Sequence, residues 1–598
     1  MSREEDALRE WLTLARRGAW SRRRFVDAVS ALGLGTPMAL QLLAASGAAR
    51  AQQPAFHYAP TKRGGGGPLR ILSWQGPTIL NGHFSSGSKD QLAARLFYEP
   101  LATYDIDGSL YPVLAAEIPS VANGGVARDG LSVTWKLKRG VTWHDGEPLT
   151  ADDVVFTWDM MRDPEAAAFT IGTYQPIKLA RRIDSHTVRL EFAKPTPAWQ
   201  DAFVGEAVLP RKHFAAYMGS KSRDAPANLK PIGSGPYRLV DFKPGDMVRA
   251  EANANYHMPN RPHFDTIEIK GGGDSVSAAR AVLQTGEYDL AWLLQIEDDV
   301  LQRMEDAGRG RVNIATGGDV EYMMLNHADP WNEVNGERSS PASKHPFLLD
   351  PAVRPALAHL LDRQSAQKYV YGRAGVATPN FLNNPPRYQS SRKGEAFDVA
   401  RANALLDGAG WARGSDGVRA RNGQRLKMVF QTTTNAPRQK VQQIFKQAAK
   451  SAGIDVELKA IVSTVFFSSD TGNPDTSGRF QADLQMYTST RGGPDPGRFM
   501  ELFCSWLISS KANKWLGRNV MRWRNEEYDN TFRAAEVELD PVKRAAMLIR
   551  LNDIVCSNQV VLPIIARSKL TALSNKLHAP ISGWTGESGR IFDWYRSS

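Results

Sequence analysis

The chain has 598 residues, 23% of them charged and 42% hydrophobic, with 74 Lys+Arg against 63 Asp+Glu and a formal net charge of +11. The basic excess is modest and interspersed with acids. Nucleic-acid binding calls for a clustered basic stripe, so that class is excluded, and the length predicts two or three domains rather than one core.

The first fifty residues read as an export signal. Arg16, Arg17, Arg22, Arg23 and Arg24 precede an apolar run from Val29 to Ala45, and Ala49-Arg50-Ala51 offers an A-x-A exit. A membrane anchor is the competing reading, but it needs roughly 20 strongly apolar residues. Gly33, Gly35, Thr36, Pro37 and Gln41 dilute this run. Cleavage near Ala51 is therefore expected, with a mature chain starting at Gln52. That removes eight basic and five acidic residues and lowers the net charge to +8. Ser21-Arg22-Arg23-Arg24-Phe25-Val26 resembles a twin-arginine signal, which the modest hydrophobicity also fits; a Sec signal with extra arginines is the alternative. Twin-arginine export machinery carries folded proteins, so folding in the cytoplasm and work in the periplasm are expected. No later stretch is apolar enough to span a membrane.

Residues 52–67 contain the run KRGGGG and are expected to be a flexible linker, with the folded body starting at Pro68. Leu69–Trp74 reads as a strand entering the loop GPTILNGH. Leu92, Leu96 and Phe97 share one helical face before Tyr98-Glu99-Pro100 breaks the helix. LSVTWKLKRGVTWHDG reads as strand, turn, strand, and Thr150 as the N-cap of a helix whose first turn holds Asp152 and Asp153. Farther on, Pro437 marks a helix start. Val441, Ile444, Phe445, Ala448 and Ala452 line its inner face, Gly453 takes the left-handed exit, and Ile454–Ile461 follows as a strand. Helices and strands alternate throughout, which predicts an α/β architecture in more than one domain.

Catalytic and cofactor signals are scarce. The sequence has no G-x-S-x-G elbow, no H-E-x-x-H, no P-loop and no cysteine–histidine signature. Its eleven histidines lack ligand spacing. No metal and no cofactor is expected. Trp143-His144-Asp145-Gly146 reads as a tight turn. Gly233-Ser234-Gly235-Pro236 lacks the third glycine and the helix of a dinucleotide loop, and reads as a crossing between domains. Cys504 and Cys556 are a candidate disulfide in an oxidising compartment, with two buried free thiols as the alternative.

Several stretches, in order, carry a resemblance. LFYEPLATYDIDGSLYPVLAAEI, DGLSVTWKLKRGVTWHDGEPLTADDVVFTW (130–158), IGSGPYRLVDFKPGDMVRAEANANYH (232–257), VRPALAHLLDRQ, ARANALLDGAGW and CSNQVVLPI span roughly residues 69–570. Together they resemble the extracytoplasmic solute-binding proteins of ABC importers, peptide/nickel class (family 5). The resemblance implies a two-lobed periplasmic-binding-protein fold with an extra inserted domain and a ligand cleft between hinged lobes. It places domain I at 68–112, 229–322 and 560–598, inserted domain II at 113–228, and domain III at 323–559. It implies a monomeric, non-enzymatic periplasmic receptor that binds a peptide or peptide-like solute and delivers it to an ABC permease and its ATPase.

Ligand candidates follow from the family's ligand segments: Trp74 and Asn81 after the first strand; Tyr322, Met324 and Asn326 along VEYMMLN; Thr433 and Asn435 before a helix N-terminus; Tyr487, Arg491 and Asp495 in YTSTRGGPDP; and Trp584. One departure stands out. Peptide receptors of this class place an aspartate about three residues before the DP pair to meet an α-ammonium. Here that place is Gly492, preceded by Arg491, which favours a carboxylate or phosphate unless it serves a salt bridge. The ligand is thus open among a peptide, a modified peptide, an opine-like conjugate and an oligosaccharide. A secreted hydrolase and a repurposed sensor are the other readings.

Overall fold

The computed structural model describes residues 56–597 apart from 86 and 469–471, together with Trp11, Phe25 and Ala28. Apart from Trp11, Phe25 and Ala28, the export signal and its cleavage site lie outside the described residues. Among the described residues, no helix is long and apolar enough to cross a membrane.

The body divides into two compact units. The terminal unit comprises Gln53–Gly317, Gly492–Pro494 and Ser568–Ser598; the central unit holds Gly318–Arg491 and Asp495–Arg567. Two long strands, Gly310–Leu325 and Val561–Ser574, each begin in one unit and end in the other.

In the terminal unit, Pro68–Ser73 runs parallel between Thr266–Gly271 and Leu290–Ala291, so that Ile71 sits beside both Ile269 and Leu290. Met247–Ala252 and Tyr237–Lys243 extend the sheet by antiparallel pairing on one side. On the other side, Leu290 pairs with Leu573. A second sheet joins Ser132–Lys136, Thr187–Phe192 and Ile177–Asp184. Helix Ala151–Met161 has Thr150 at its N-cap, whose N–H donates to Asp153 Oδ2 at 2.9 Å. The inward residues of both sheets, Leu69 and Ile71 with Val133, Trp135 and Leu190, belong to one apolar core. The segments expected as separate domains I and II therefore share a core.

Residues 62–67 depart from the flexible linker that composition suggests. The Arg63 guanidinium donates to the carbonyls of Ala254, Tyr256, Met258 and Arg261. The N–H groups of Gly65 and Gly67 reach the two Asp265 oxygens at 2.8 and 2.9 Å. Gly64, Gly65 and Gly67 take φ of +67°, +83° and +68°. The glycines supply left-handed backbone for a fixed strap.

The Trp143–Gly146 segment is a turn, with Gly146 at φ +89°. His144 ties it to the Gly233–Gly235 stretch: Nδ1 accepts the Gly233 N–H at 3.2 Å, and Nε2 bonds the Gly235 carbonyl at 3.0 Å. Burial holds this imidazole's pKa down at about 4. Gly233 and Gly235 press against the Phe97 and Leu96 carbonyls, where a Cβ would overlap the oxygen.

In the central unit, Lys427–Thr433 lies parallel between Asp455–Ile461 and Leu484–Ser489. The 320–325 stretch pairs antiparallel with Leu484–Ser489 and places Tyr322 opposite Tyr487. Alternation sorts this strand onto two cores. Met323 and Leu325 join Phe430, Met486 and Phe445, whereas Val320, Tyr322 and Met324 join Phe381, Phe499 and Phe503. Helix Ala436–Ser451 carries Pro437 in its first turn, and Gly453 follows at φ +79°.

Gly233→Ala tests the close approach. The alanine methyl overlaps the buried backbone carbonyl of Phe97, so a loss of about 1–3 kcal/mol is expected in urea unfolding. An equal loss in Gly408→Ala, where φ is ordinary and nothing lies within 4 Å, would contradict the overlap.

Candidate functional site

At one end of the central sheet, four strands and a helix N-terminus bring charged and hydroxyl groups together. Glu321 is fully buried within the otherwise apolar 320–325 stretch of its strand, opposite Thr488 in the register. Its Oε1 accepts Arg438 Nε at 2.8 Å, and its Oε2 accepts the Thr488 hydroxyl at 2.5 Å. Arg438 also donates to the hydroxyls of Thr433 and Thr488, each at 3.0 Å. Arg567 Nη1 donates to Thr488 Oγ1 at 2.9 Å and stands 3.6 Å from Glu321 Oε2.

Asn435, the N-cap, accepts the Arg438 N–H at 3.1 Å. Arg438 therefore occupies the first turn of helix Ala436–Ser451, where the positive end of the helix dipole opposes a cation. Glu321 compensates it. Neither Glu321, Arg438 nor Arg567 was a sequence candidate. The signals were present: an acid inside an apolar strand and a base in a helix's first turn each require a partner.

Next to this cluster lies an aromatic group. Tyr487 is half-buried, with the rings of Phe467, Tyr322 and Phe466 at 5.6, 5.9 and 6.0 Å. Burial raises its hydroxyl pKa. Phe467 remains 50% exposed. The Tyr322 hydroxyl meets Ser489 Oγ at 2.8 Å, and its ring is buried edge-on to Phe381. The structure thus brings Tyr322 and Tyr487 together, and Thr433 and Asn435 around Arg438.

Other candidates are committed inside the central unit. Met324 is fully buried. Asn326 Nδ2 donates to Ser339 Oγ and to the Phe480 and Ala482 carbonyls, and its Oδ1 accepts the Ala328 N–H. Arg491 is 4% exposed. It donates to the Asn384 carbonyl, and its own N–H reaches Asp319 at 3.2 Å. Burial pulls its pKa down to about 10 against the pull of Asp495. Only a glycine at 318 leaves room for it, since a Cβ there would lie 2.6 Å from Arg491 Nε. Asp495 is gripped by both Nη atoms of Arg544 and accepts the Gly497 N–H at 2.8 Å. Burial alone would raise its pKa, but Arg544 outweighs that and holds it below the usual range.

Trp74, Asn81 and Trp584 belong to the terminal unit. Trp74 Nε1 donates to the Leu293 carbonyl at 3.0 Å, and its ring lies 6.3 Å from Trp292. Asn81 is buried and bonds Asn228 Oδ1 at 2.9 Å. Trp584 is part of the core, and a Cβ on Gly108 would stand 2.9 Å from its Nε1. Cys504 and Cys556 are free and buried, so the candidate disulfide is not formed. Burial pushes the Cys556 thiol up to about 12 and raises Cys504 as well. No group of three His, Cys, Asp or Glu among the described residues could hold a metal ion.

Asp495→Asn removes the charge facing a 7%-exposed arginine. Breaking such a pair costs about 3–5 kcal/mol. The sign of the pH effect follows from the depressed pKa. The native carboxylate keeps its stabilising charge above the ordinary value of 3.8 and loses it as pH falls through its lower folded value. Urea midpoints at pH 7 should therefore separate the parent from Asp495→Asn, and the gap should narrow towards pH 2. A gap constant with pH would contradict the pairing.

Residues 109–511 match the model of the bacterial extracellular solute-binding proteins, family 5. The chain is 27% identical over 410 residues to the oligopeptide-binding protein AppA of Bacillus subtilis, covering 66% of this chain and 69% of that one. It is 25% identical over 510 residues to the glutathione-binding protein GsiB of Shigella boydii, covering 84% and 89%. Among solved structures, AppA from Bacillus subtilis in complex with a nonapeptide aligns with a TM-score of 0.73 at 21% identity, over 90% of this chain and all of that one. NikZ from Campylobacter jejuni in complex with Ni(L-His) aligns with a TM-score of 0.73 at 22% identity, over 88% and 99%. At these identities the structures establish the mixed α/β fold. The family match covers more than half of the chain, which therefore belongs to the family 5 extracellular solute-binding proteins, the non-enzymatic substrate-binding components of ABC importers.

Proposed function

We propose that this protein is a periplasmic importer receptor for a peptide-like solute that is recognised without an acidic contact from the YTSTRGGPDP loop. The supporting observation is the state of that loop. Gly492 stands where an ammonium-binding aspartate was looked for, and Asp495 already gives both oxygens to Arg544. A free α-ammonium needs a carboxylate partner when desolvated. A solute whose amine is acylated, γ-linked or otherwise displaced from this loop does not. The similarity to proteins named for oligopeptide and glutathione binding supports the peptide-like class.

The half-buried faces of Trp74 and Tyr487 are the proposed side-chain contacts, with Trp584 and Arg491 positioning the segments that carry them. Domain limits near 322 and 560 remain the proposed hinge, with lobe closure around solute. Twin-arginine export is the proposed route to the periplasm.

Native mass spectrometry of the chain from Gln52, before and after mild denaturation, tests this reading. A released peptide or γ-linked peptide mass is expected. Calorimetry should then find an N-acetyl tripeptide bound within about threefold of its free-amine form, since no charged contact is lost. A free-amine preference of tenfold or more would overturn the reading, as would a released sugar.

A further inference from the structure

The charged cluster at the end of the central sheet is one anion short. Arg438 and Arg567 bring two positive charges, and helix Ala436–Ser451 directs its N-terminus at the same place, whereas Glu321 brings a single negative charge. Arg438 is well satisfied, with Nε, Nη1 and Nη2 all bonded. Arg567 is not. Among the described residues its one hydrogen bond runs from Nη1 to Thr488, and its 3.6 Å approach to Glu321 is a charge contact too long for a hydrogen bond. A guanidinium carries five N–H donors in a planar fork. Here that fork is 12% exposed.

Its backbone is held in place by pairing with Gly375, and its guanidinium lies 5.8 Å from the Tyr371 ring. The Tyr371 hydroxyl is buried, and burial together with the Glu321 charge raises its pKa. The charged and titratable groups facing Arg567 are thus Glu321, Arg438 and Tyr371.

We infer that Arg567 is a specificity-determining residue whose free N–H groups bind a carboxylate of the solute, with Glu321 holding Arg438 so that only one guanidinium is open to the incoming anion. This rests on the peptide-like reading above and narrows it to solutes carrying a carboxylate at the end that meets the central unit. Glu321 also limits affinity. It gives the two arginines a resident counter-charge, so release needs no large reorganisation.

The test uses Ala-Ala-Ala as free acid and as C-terminal amide, with succinate as a small dicarboxylate probe, on the full mature chain. The parent protein should bind the acid about 10- to 100-fold more tightly than the amide, the range of a charged hydrogen bond. Arg567→Gln should bring the two within about threefold. Arg567→Lys, which keeps the charge and loses the fork, should fall between; it also serves if the glutamine variant does not fold. An acid preference that survives Arg567→Gln, or that is absent from the parent, overturns the inference and leaves the peptide-like reading standing. If neither tripeptide binds but succinate raises the parent's Tm in a saturable way that Arg567→Gln abolishes, the anion subsite stands and the peptide-like reading falls. Absence of binding by all three probes overturns both.

Discussion

Strand Pro68–Ser73 organises the terminal unit, because its two neighbours come from residues 266–271 and 290–291. Each pairing closes a loop of about two hundred residues. Closing so long a loop costs entropy before any pairing returns free energy. The second sheet and helix Ala151–Met161 lie within that loop and share the same core. They make the loop compact and so lower the cost of closing it. The crossing strands impose a similar constraint on the central unit, whose last strand follows helix Pro541–Ser557 in the chain.

Buried charge is the second theme. Asp495 with Arg544, and Glu321 with Arg438, are each nearly solvent-free. Such pairs contribute little net stability, since desolvation offsets most of the attraction. What they do is fix geometry. A paired arginine in the first turn of helix Ala436–Ser451 sets the distance between that helix and the strand bearing Glu321. The central unit thus holds these charges in fixed geometry rather than on flexible side chains.

Much of the fold was legible in the sequence. Pro437 and Gly453 delimited a helix by their backbone preferences, and the Val441–Ala452 spacing named its buried face; the helix runs Ala436–Ser451. Alternation along VEYMMLN correctly put Tyr322 and Met324 on one face. Side-chain commitments were less legible. Asp495 carried no local sign that Arg544, on another helix, would take both its oxygens. Asn326 looked like an available amide, yet the carbonyls it serves come from residues 480 and 482. The glycine run misled for the same reason: Asp265 and the carbonyls that order it are two hundred residues away.

The two thiols have a use of their own. They are the chain's only cysteines, and both lie in one apolar core of the central unit. With their pKa values raised by burial, they offer almost no thiolate to a reagent while that core is closed. The terminal unit has none. Alkylation of the unmodified protein therefore clocks the opening of one half of the molecule against a silent other half, so local breathing in the central unit can be timed without an engineered probe.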